Sequence, residues 1–235
     1  MKTINHFING REHKGSSDRV GDIFNPAQGE KIAEVNLANS NDVNIAIENA
    51  LSVKQKWAST PPLTRSRIFF KFKELLLRDM DKLAAALTEE HGKILSDSQG
   101  SLTRGMEVVE FACGIPHLLK GEFSENVGSE IDSWSMRQPL GISVGISPFN
   151  FPAMVPMWMF VVSIACGNCF ILKPSEKDPS VPMMLAELLT EAGLPDGVFN
   201  VINGDKEAVD LLITNPHVDS VSFVGSTPVA EYIYH

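Results

Sequence analysis

The segment ISVGISPFNFPAMVPMWMFVVSIACGNCFILK, residues 142–173, decides the fold of the chain. Two short apolar runs at its ends, residues 142–146 and 169–173, flank a longer apolar stretch that has the length of a helix, over roughly residues 154–165. Short apolar runs on either side of a helix are typical of a βαβ unit, in which the two strands are parallel. The segment therefore predicts a parallel sheet with a helix packed against it.

The same alternation continues beyond residue 173. We expect a helix over residues 181–192, a strand over 198–202, a helix over 206–214, a strand over 218–224 and the start of a further helix at Pro228. Four strands that alternate with helices predict right-handed crossovers and a Rossmann-like parallel sheet with flanking helices. Ligands of such sheets bind beyond the carboxyl ends of the strands.

The first 140 residues have a different pattern of turn residues and apolar spacing, which predicts hairpins and helices. Asn9-Gly10 is a hairpin turn signal, and residues 24–30 form a second turn between short strands. Apolar spacing predicts helices over residues 40–57, with Ser40 or Asn41 as N-cap, and over 63–91. Residues 96–119 are also expected to be helical, up to Pro116. Loose alternation over residues 121–138 predicts a protruding β-hairpin arm. The predicted fold class is α/β, with N-terminal hairpins and helices preceding the sheet.

Charge and hydropathy exclude several classes of function. Twenty basic and 29 acidic residues give a net charge of −9, whereas a nucleic-acid partner requires a basic surface. The first residues contain no apolar signal core, so we expect a cytoplasmic protein. The uncharged stretch 138–172 is interrupted by Pro152, Pro156 and Gly167-Asn168. A membrane span needs about 20 consecutive apolar residues, so a buried strand, turn and helix fit this stretch better.

The three cysteines, Cys113, Cys166 and Cys169, do not predict a metal or redox site. An odd number in a chain without an export signal indicates free thiols in a reducing compartment. Cys166 and Cys169 have the spacing of a zinc or redox pair. However, no second pair and no histidine stand near them, so we interpret them as small buried apolar side chains.

Polar or glycine residues follow each predicted strand of the sheet. The four sequences are SPFNFP (147–152), PSEK (174–177), NGD (203–205) and GST (225–227). Neither Gly-x-Gly-x-x-Gly nor a Walker loop occurs, but GST precedes a helix start, where free N–H groups can hold a phosphate. Taken alone, Asn150 could be a helix cap, Lys173 a solvated charge and Ser226 a cap. Their placement on successive strand ends favours a ligand site.

These motifs, in their order and spacing, resemble the aldehyde dehydrogenase superfamily. The resemblance lies in PFNFP (148–152), GN (167–168), KPSE (173–176), GLPDGVFNV (193–201) and FVGST (223–227). Within the superfamily the chain is most similar to the CoA-acylating methylmalonate-semialdehyde dehydrogenases. That closer similarity lies in EHGK (90–93), RGMEVVE (104–110) and the stretch 149–160.

The resemblance implies NAD-dependent oxidation of methylmalonate semialdehyde or malonate semialdehyde to an acyl-CoA, with CoA as co-substrate. In such enzymes a cysteine thiolate attacks the aldehyde, hydride passes to NAD, and CoA accepts the acyl group. By similarity, the side-chain amide of Asn150 stabilises the developing oxyanion. Arg104 is the candidate clamp for the substrate carboxylate, because a guanidinium matches a carboxylate in shape. A solvated helix charge is the alternative role of Arg104.

The resemblance also implies a set of cofactor-binding residues. Lys173 and Glu176 would hold the adenosine ribose hydroxyls, and the carboxylate of Glu176 would repel a 2′-phosphate, which favours NAD over NADP. The other cofactor-binding candidates are Ser147 and Phe149 in the groove, Lys177 beside the ribose and Ser226 under the pyrophosphate.

Residues 1–120 and 139–235 would form the NAD-binding domain, and residues 121–138 an oligomerisation hairpin of a homodimer or homotetramer. None of the three cysteines matches the nucleophile of the superfamily, so we expect the catalytic domain to be absent from this chain and the chain alone to be inactive. Two alternatives stay open. The chain could be a non-catalytic remnant that binds NAD or pairs with an intact subunit, or it could serve a dehydrogenase for another aldehyde.

Overall fold

Eleven strands and nine helices make up the part of the chain that the computed structural model describes, residues 2–235. The strands are β1 (Lys2–Ile4), β2 (His6–Ile8), β3 (Arg11–His13), β4 (Val20–Asn25), β5 (Glu30–Asn36), β6 (Phe123–Gly128), β7 (Ile131–Trp134), β8 (Ile142–Ile146), β9 (Cys169–Lys173), β10 (Phe199–Val201) and β11 (Ser220–Phe223). The helices are α1 (Ser40–Ala58), α2 (Pro62–Arg78), α3 (Met80–His91), α4 (Leu95–Cys113), α5 (Ile115–Leu118), α6 (Met154–Ala165), α7 (Ser180–Glu191), α8 (Lys206–Ile213) and α9 (Thr227–Tyr234).

The central sheet has six strands in the order β11-β8-β9-β10-β2-β3. Its four C-terminal strands, β8 to β11, pair in parallel. Every residue of β8 and β9 is buried, as expected for central strands with helices on both faces. The predicted α/β fold with a parallel, helix-flanked sheet is confirmed.

The N-terminal residues complete one edge of this sheet. β2 pairs antiparallel with β10, and β3 pairs antiparallel with β2. The connecting residues Asn9 and Gly10 have φ values of 56° and 73°, the left-handed conformation that a tight hairpin turn requires. The predicted hairpin is thus confirmed. A separate three-stranded sheet, β1-β5-β4, lies beside it.

The predicted arm over residues 121–138 is a two-stranded antiparallel hairpin of β6 and β7. Apolar side chains on it are well exposed, and they are Phe123, Val127, Ile131, Trp134 and Met136. The hairpin prediction is confirmed in structure.

Helices on both faces of the sheet enclose two apolar layers. On one face, the ring of Phe160 in α6 lies 4.6 Å from that of Phe199 and 6.4 Å from those of Phe72 and Phe170, measured between centroids. On the other face, α1 and α8 pack on the outward side chains of β8 and β9. A Cβ atom on Gly145 would lie 2.5 Å from Cζ of Phe170, so the middle of β8 accommodates only glycine.

Three helix boundaries differ from the sequence-based expectation. The single helix predicted over residues 63–91 is wrong, because Asp79, with φ −102° and ψ 13°, separates α2 from α3. At this break the Arg78 guanidinium donates hydrogen bonds to the carboxylates of Asp79 and of Glu191 in α7. Likewise, the helix predicted over 96–119 is interrupted at Gly114. The N-cap of α1 is Asn39, which forms a capping box with Asp42, and not Ser40 or Asn41.

Among residues 2–235, no helix combines the length and the apolar character that crossing a membrane would require.

Candidate functional site

The carboxyl ends of β8, β9 and β11 lie side by side at one edge of the sheet. Ile146 is in register with Lys173 on one side and with Phe223 on the other. The N–H of Ser147 donates to the Lys173 carbonyl at 3.2 Å, and the N–H of Val224 donates to the Ile146 carbonyl at 3.2 Å. The loops that follow these three strands therefore begin next to one another, which is the edge where parallel sheets bind ligands.

Lys173 and Glu176 form a partly buried ion pair at this edge. Lys173 Nζ lies 3.4 Å from Glu176 Oε2, and the side chains are 7% and 37% exposed, respectively. Burial lowers the pKa of Lys173, while the neighbouring carboxylate of Glu176 acts in the opposite direction. An ammonium has three N–H groups, and one long contact leaves donors for a ligand. Lys173 is therefore not a solvated charge at the end of a strand.

Ser147 and Phe149 occupy the loop that follows β8. Ser147 Oγ is buried and has no hydrogen-bond partner among residues 2–235. A buried hydroxyl without a partner costs about 1–3 kcal/mol, so a ligand group at this position would satisfy it. Lys177 Nζ lies 4.9 Å from the centroid of the half-exposed Phe149 ring, and this contact joins the loop after β8 to the loop after β9.

Ser226 stands at the N-cap position of α9, after the end of β11. It is exposed, its backbone is extended, and its side chain makes no capping hydrogen bond. The hydroxyl is therefore available to a ligand, and the first turn of the helix offers N–H groups that favour an anion.

Asn150 and Arg104 line one cleft of about 570 Å³ between α4 and the loop after β8. The other lining residues are His91, Lys93, Ser96, Asp97, Gly100, Ser101 and Phe151. Asn150 is exposed, and the N-cap of α6 is Ala153, so Asn150 does not cap that helix. Its side-chain amide is thus free to act in the cleft.

Arg104 lies on α4 and is exposed. The ion pairs found within residues 2–235 do not include it. Its main-chain carbonyl accepts a hydrogen bond of 3.3 Å from Trp158 Nε1 of α6, which ties α4 to the helix that follows Asn150. The cleft therefore contains an arginine without a carboxylate partner in the described chain.

Three further cleft residues were not predicted as functional. Lys93 Nζ donates a hydrogen bond of 3.0 Å to the main-chain carbonyl of Asn150. Ser101 Oγ and both ring nitrogens of His91 are buried without partners among residues 2–235. Gly92 marks the end of α3 beside His91 and Lys93, but a helix stop does not by itself predict a ligand site.

A pair of buried carboxyl groups, Asp178 and Glu90, lines a second cleft that shares His91 with the first. Burial raises the pKa of Asp178 to about 8, and the nearby Glu90 adds to that increase. The pKa of Glu90 is also raised by burial, although its carboxylate accepts hydrogen bonds from the N–H and the hydroxyl of Ser180. Asp178 is thus largely protonated at neutral pH, and no sequence motif indicated this.

The third strand end differs from the expectation that all four ends present polar groups to a ligand. Asn203, after β10, is fully buried, and its N–H donates to His6 Nδ1 while its amide donates to the Asn5 carbonyl. Asp205 caps α8 and binds Arg19. These residues hold the N-terminal segment in place.

A sequence model described as the aldehyde dehydrogenase family matches residues 13–235. The chain belongs to the aldehyde dehydrogenase family. This agrees with the site, where the loops after three parallel strands meet beside a cleft that contains an amide and a free arginine.

The curated relatives of this aldehyde dehydrogenase chain include enzymes for short carboxylated aldehydes. It is 53% identical to a malonate-semialdehyde dehydrogenase of Pseudomonas aeruginosa, over 100% of this chain and 47% of the relative. It is 46% identical to an acylating mitochondrial methylmalonate-semialdehyde dehydrogenase of Arabidopsis thaliana, over 98% of this chain and 38% of the relative. The chain therefore spans about half the length, or less, of these relatives.

Solved structures show the same similarity. A protein of Sinorhizobium meliloti, described as a methylmalonate-semialdehyde dehydrogenase in complex with NAD, matches with a TM-score of 0.98 and 56% identity, over 100% of this chain and 48% of its own. A methylmalonate-semialdehyde dehydrogenase of Oceanimonas doudoroffii matches with the same TM-score, identity and coverage. The fold of the aldehyde dehydrogenase NAD-binding region is thus shared in full.

Proposed function

We propose that this chain forms the NAD-binding half of a CoA-acylating dehydrogenase for malonate semialdehyde or methylmalonate semialdehyde. In the complete reaction the aldehyde, NAD⁺ and CoA give an acyl-CoA, CO₂ and NADH. The acyl group is acetyl from malonate semialdehyde and propanoyl from its methyl homologue. The names of the similar dehydrogenases support this substrate class.

One observation carries the proposal, which is that Arg104 and Asn150 line the same cleft. The substrate class has a carboxylate one carbon away from the aldehyde, so it needs a cation and an oxyanion donor within one small space. Arg104 supplies a planar, permanently charged fork for the carboxylate. Asn150 supplies a neutral N–H that stabilises negative charge on the aldehyde oxygen as it develops.

The residues at this edge of the sheet fit NAD for two reasons. The buried Ser147 hydroxyl has no hydrogen-bond partner among residues 2–235, and Lys173 has N–H donors that its contact with Glu176 does not use. When bound, NAD accepts the hydride of the aldehyde carbon. We assign the ribose hydroxyls to Lys173 and Glu176, the pyrophosphate to Ser226, and the walls of the groove to Ser147, Phe149 and Lys177. Because Glu176 is an acid, a 2′-phosphate would be repelled, which favours NAD over NADP.

The nucleophile of the proposed reaction does not come from these residues. Burial raises the pKa of all three thiols, and that of Cys169 to about 12. Cys169 begins β9, at the opposite end of the sheet from Lys173. We therefore propose that the nucleophilic cysteine and the CoA contacts belong to a catalytic domain outside residues 1–235, and that the chain alone is inactive.

We also propose that the β6–β7 hairpin is a subunit contact, with residues 1–120 and 139–235 as the NAD-binding domain. The row of exposed apolar side chains on the hairpin supports this assignment, since such groups on a protruding arm are typical of an interface.

The experiment is a chimera in which this chain replaces the matching N-terminal half of the Pseudomonas aeruginosa relative. NADH formation is followed with malonate semialdehyde, with methylmalonate semialdehyde and with the uncharged butanal, each with and without CoA. The proposal expects CoA-dependent turnover with a preference for the two carboxylated aldehydes. An inactive chimera, or one that prefers butanal, would contradict it.

A further inference from the structure

Lys93 connects the turn between α3 and α4 to the loop that contains Asn150. Its Nζ donates a hydrogen bond of 3.0 Å to the main-chain carbonyl of Asn150. The same ammonium lies 4.5 Å from the centroid of the Phe151 ring, within the range of a cation–π interaction. One side chain thus contacts two consecutive residues of the loop.

The local sequence places Lys93 there. Gly92 ends α3 with φ 82°, and a Cβ atom at this position would lie 3.2 Å from Cβ of Pro26. The chain therefore reverses sharply at a position that glycine alone occupies without strain. α4 starts two residues after Lys93, at Leu95, so the lysine is fixed between two helices and reaches across the cleft.

A carboxylate of the cleft partly balances the charge of Lys93. Burial lowers the pKa of Lys93, and the carboxylate of Asp97, which lines the same cleft, acts in the opposite direction, as does Asp178 when it is ionised. Lys93 is partly buried, and a hydrogen bond from a charged donor is stronger than one between neutral groups. The contact with the Asn150 carbonyl is therefore a strong constraint on the loop.

Asn150 has few other constraints. It is exposed, and it precedes α6 by four residues, so no helical hydrogen bond fixes it. An oxyanion donor is effective only when it is oriented before the reaction. The main chain sets the position from which the Asn150 amide extends, and Lys93 holds this main chain.

We infer that Lys93 is a positioning residue that holds the main chain of Asn150, so that the amide points to the reacting oxygen. The inference rests on the proposed function. Lys93 acts through Asn150 and is not among the residues assigned to NAD. Ser147 and Phe149 share the loop after β8 with Asn150, but the contacts of the Lys93 ammonium in this loop are with Asn150 and Phe151.

A double-mutant cycle in the active chimera tests this inference. Lys93→Met keeps the length of the side chain and removes its donors, and we expect kcat to fall by about 10- to 100-fold, as for the loss of a hydrogen bond from a charged group. KM for NAD stays unchanged. Lys93→Arg restores most of the lost kcat. In an Asn150→Ala background, Lys93→Met causes no further loss, because the residue it positions is gone.

The matched control is Lys82→Met on α3, an exposed lysine outside the cleft, which should leave kcat unchanged. A full additional loss in the Asn150→Ala background, or a rise in KM for NAD that matches the loss in kcat, would overturn the inference. A chimera that loses activity with Asn150→Ala but keeps it with Lys93→Met would leave the proposed function standing and remove only this inference.

Hydrogen exchange on the chain itself gives a readout without activity. Lys93→Met should raise the exchange of the peptide that contains Asn150 and Phe151, while Lys82→Met should not. If the chimera is inactive, the proposed function fails, and hydrogen exchange alone then tests whether Lys93 holds the loop that contains Asn150. Unchanged exchange in Lys93→Met would overturn the inference.

Discussion

His6 and Asp42 lie side by side in the interior, with His6 Nε2 3.8 Å from Asp42 Oδ2 and both side chains fully excluded from solvent. Burial lowers the pKa of His6 to about 4, although the Asp42 carboxylate acts in the opposite direction. His6 Nδ1 accepts a hydrogen bond from the N–H of Asn203, so this nitrogen carries no proton in the native state. The histidine is therefore neutral in the folded chain at neutral pH.

We predict that His6 makes the chain less stable as the pH falls from about 6.5 to 4. In this window the unfolded state binds a proton that the folded state excludes, so the free energy of unfolding decreases toward low pH. The contribution lost is on the order of 3 kcal/mol, at about 1.4 kcal/mol per unit of pKa difference. It is fully present above the unfolded pKa.

Urea denaturation at pH 7 and pH 5 measures the part of this loss that falls between the two pH values, about 2 kcal/mol, as the difference between the native chain and His6→Gln. The comparison with a variant is needed because other groups also make the free energy of unfolding depend on pH. The pKa values of Asp178 and Glu90 are raised in the folded chain, so their contributions lower the free energy of unfolding as the pH rises. His117→Gln, at an exposed position, is the control and should keep the native pH dependence. A variant at position 6 with the same pH dependence as the native chain would rule out this role of His6.

Arg104→Gln should remove the preference of the chimera for carboxylated aldehydes. We expect kcat/KM for malonate semialdehyde to fall by about 10- to 100-fold, the effect of losing a charged hydrogen-bond partner. Turnover of butanal should change little, since butanal has no carboxylate. Arg67→Gln, an exposed arginine on α2, is the control. Equal losses for both aldehydes would mean that Arg104 does not bind the carboxylate.

Asn150→Ala in the chimera should lower kcat by about 100- to 1,000-fold, the usual effect of removing one oxyanion donor. The affinity for NAD should remain, because the assigned cofactor contacts are made by other side chains, of which Ser147 and Phe149 precede Asn150 in the same loop. The melting temperature should also remain, because Asn150 does not cap α6. Normal turnover in a variant that melts early would show instead that Asn150 has a structural role.

Lys173→Met should weaken NAD binding to the chain by about 10-fold or more, since it removes a charged donor at the proposed ribose site. Glu176→Gln removes the charge that repels a 2′-phosphate, so it should reduce the preference for NAD over NADP. Titration calorimetry with both nucleotides measures these changes, and Lys56→Met on α1 is the control. Unchanged affinity in Lys173→Met would show that the ribose lies elsewhere.

Asn39→Ala should destabilise the chain by about 1 kcal/mol, the typical cost of losing an N-cap. The Asn39 side chain accepts hydrogen bonds from the N–H groups of Asn41 and Asp42. Thermal or urea unfolding measures the loss. Asn44→Ala, at an exposed position inside α1, should cost nothing, because alanine favours a helix interior. Equal stability of the two variants would remove the assigned role of the cap.

The sheet could be predicted from the sequence because its signal is local. β8, β9 and the helix between them follow directly from the lengths and the order of the apolar runs. The break at Asp79 could not be predicted in this way, since α2 and α3 bury the same kind of apolar stripe on either side of it. Beside the break, Arg78 contacts Glu191 of α7, a residue distant in sequence.

In the candidate site, too, some features could be predicted from the sequence and others could not. Asn150, Lys173 and Glu176 stand next to strand ends, so their proximity could be predicted from topology alone. The contact of Lys93 with Asn150 depends on how α3, α4 and the loop after β8 pack, and no local pattern encodes it. The same is true of Asp178, whose raised pKa results from burial beside Glu90.

The antiparallel edge formed by β2 and β3 affects when the chain can fold. The Asn9 N–H donates to the side chain of Asn200, and 191 residues separate them. During synthesis the first hairpin therefore leaves the ribosome long before β10 exists, and it must wait without its partner. Closing so long a loop is slow, which makes the joining of β2 to β10 a late step in folding. Until then, the beginning of the chain is exposed to other strands and to proteases.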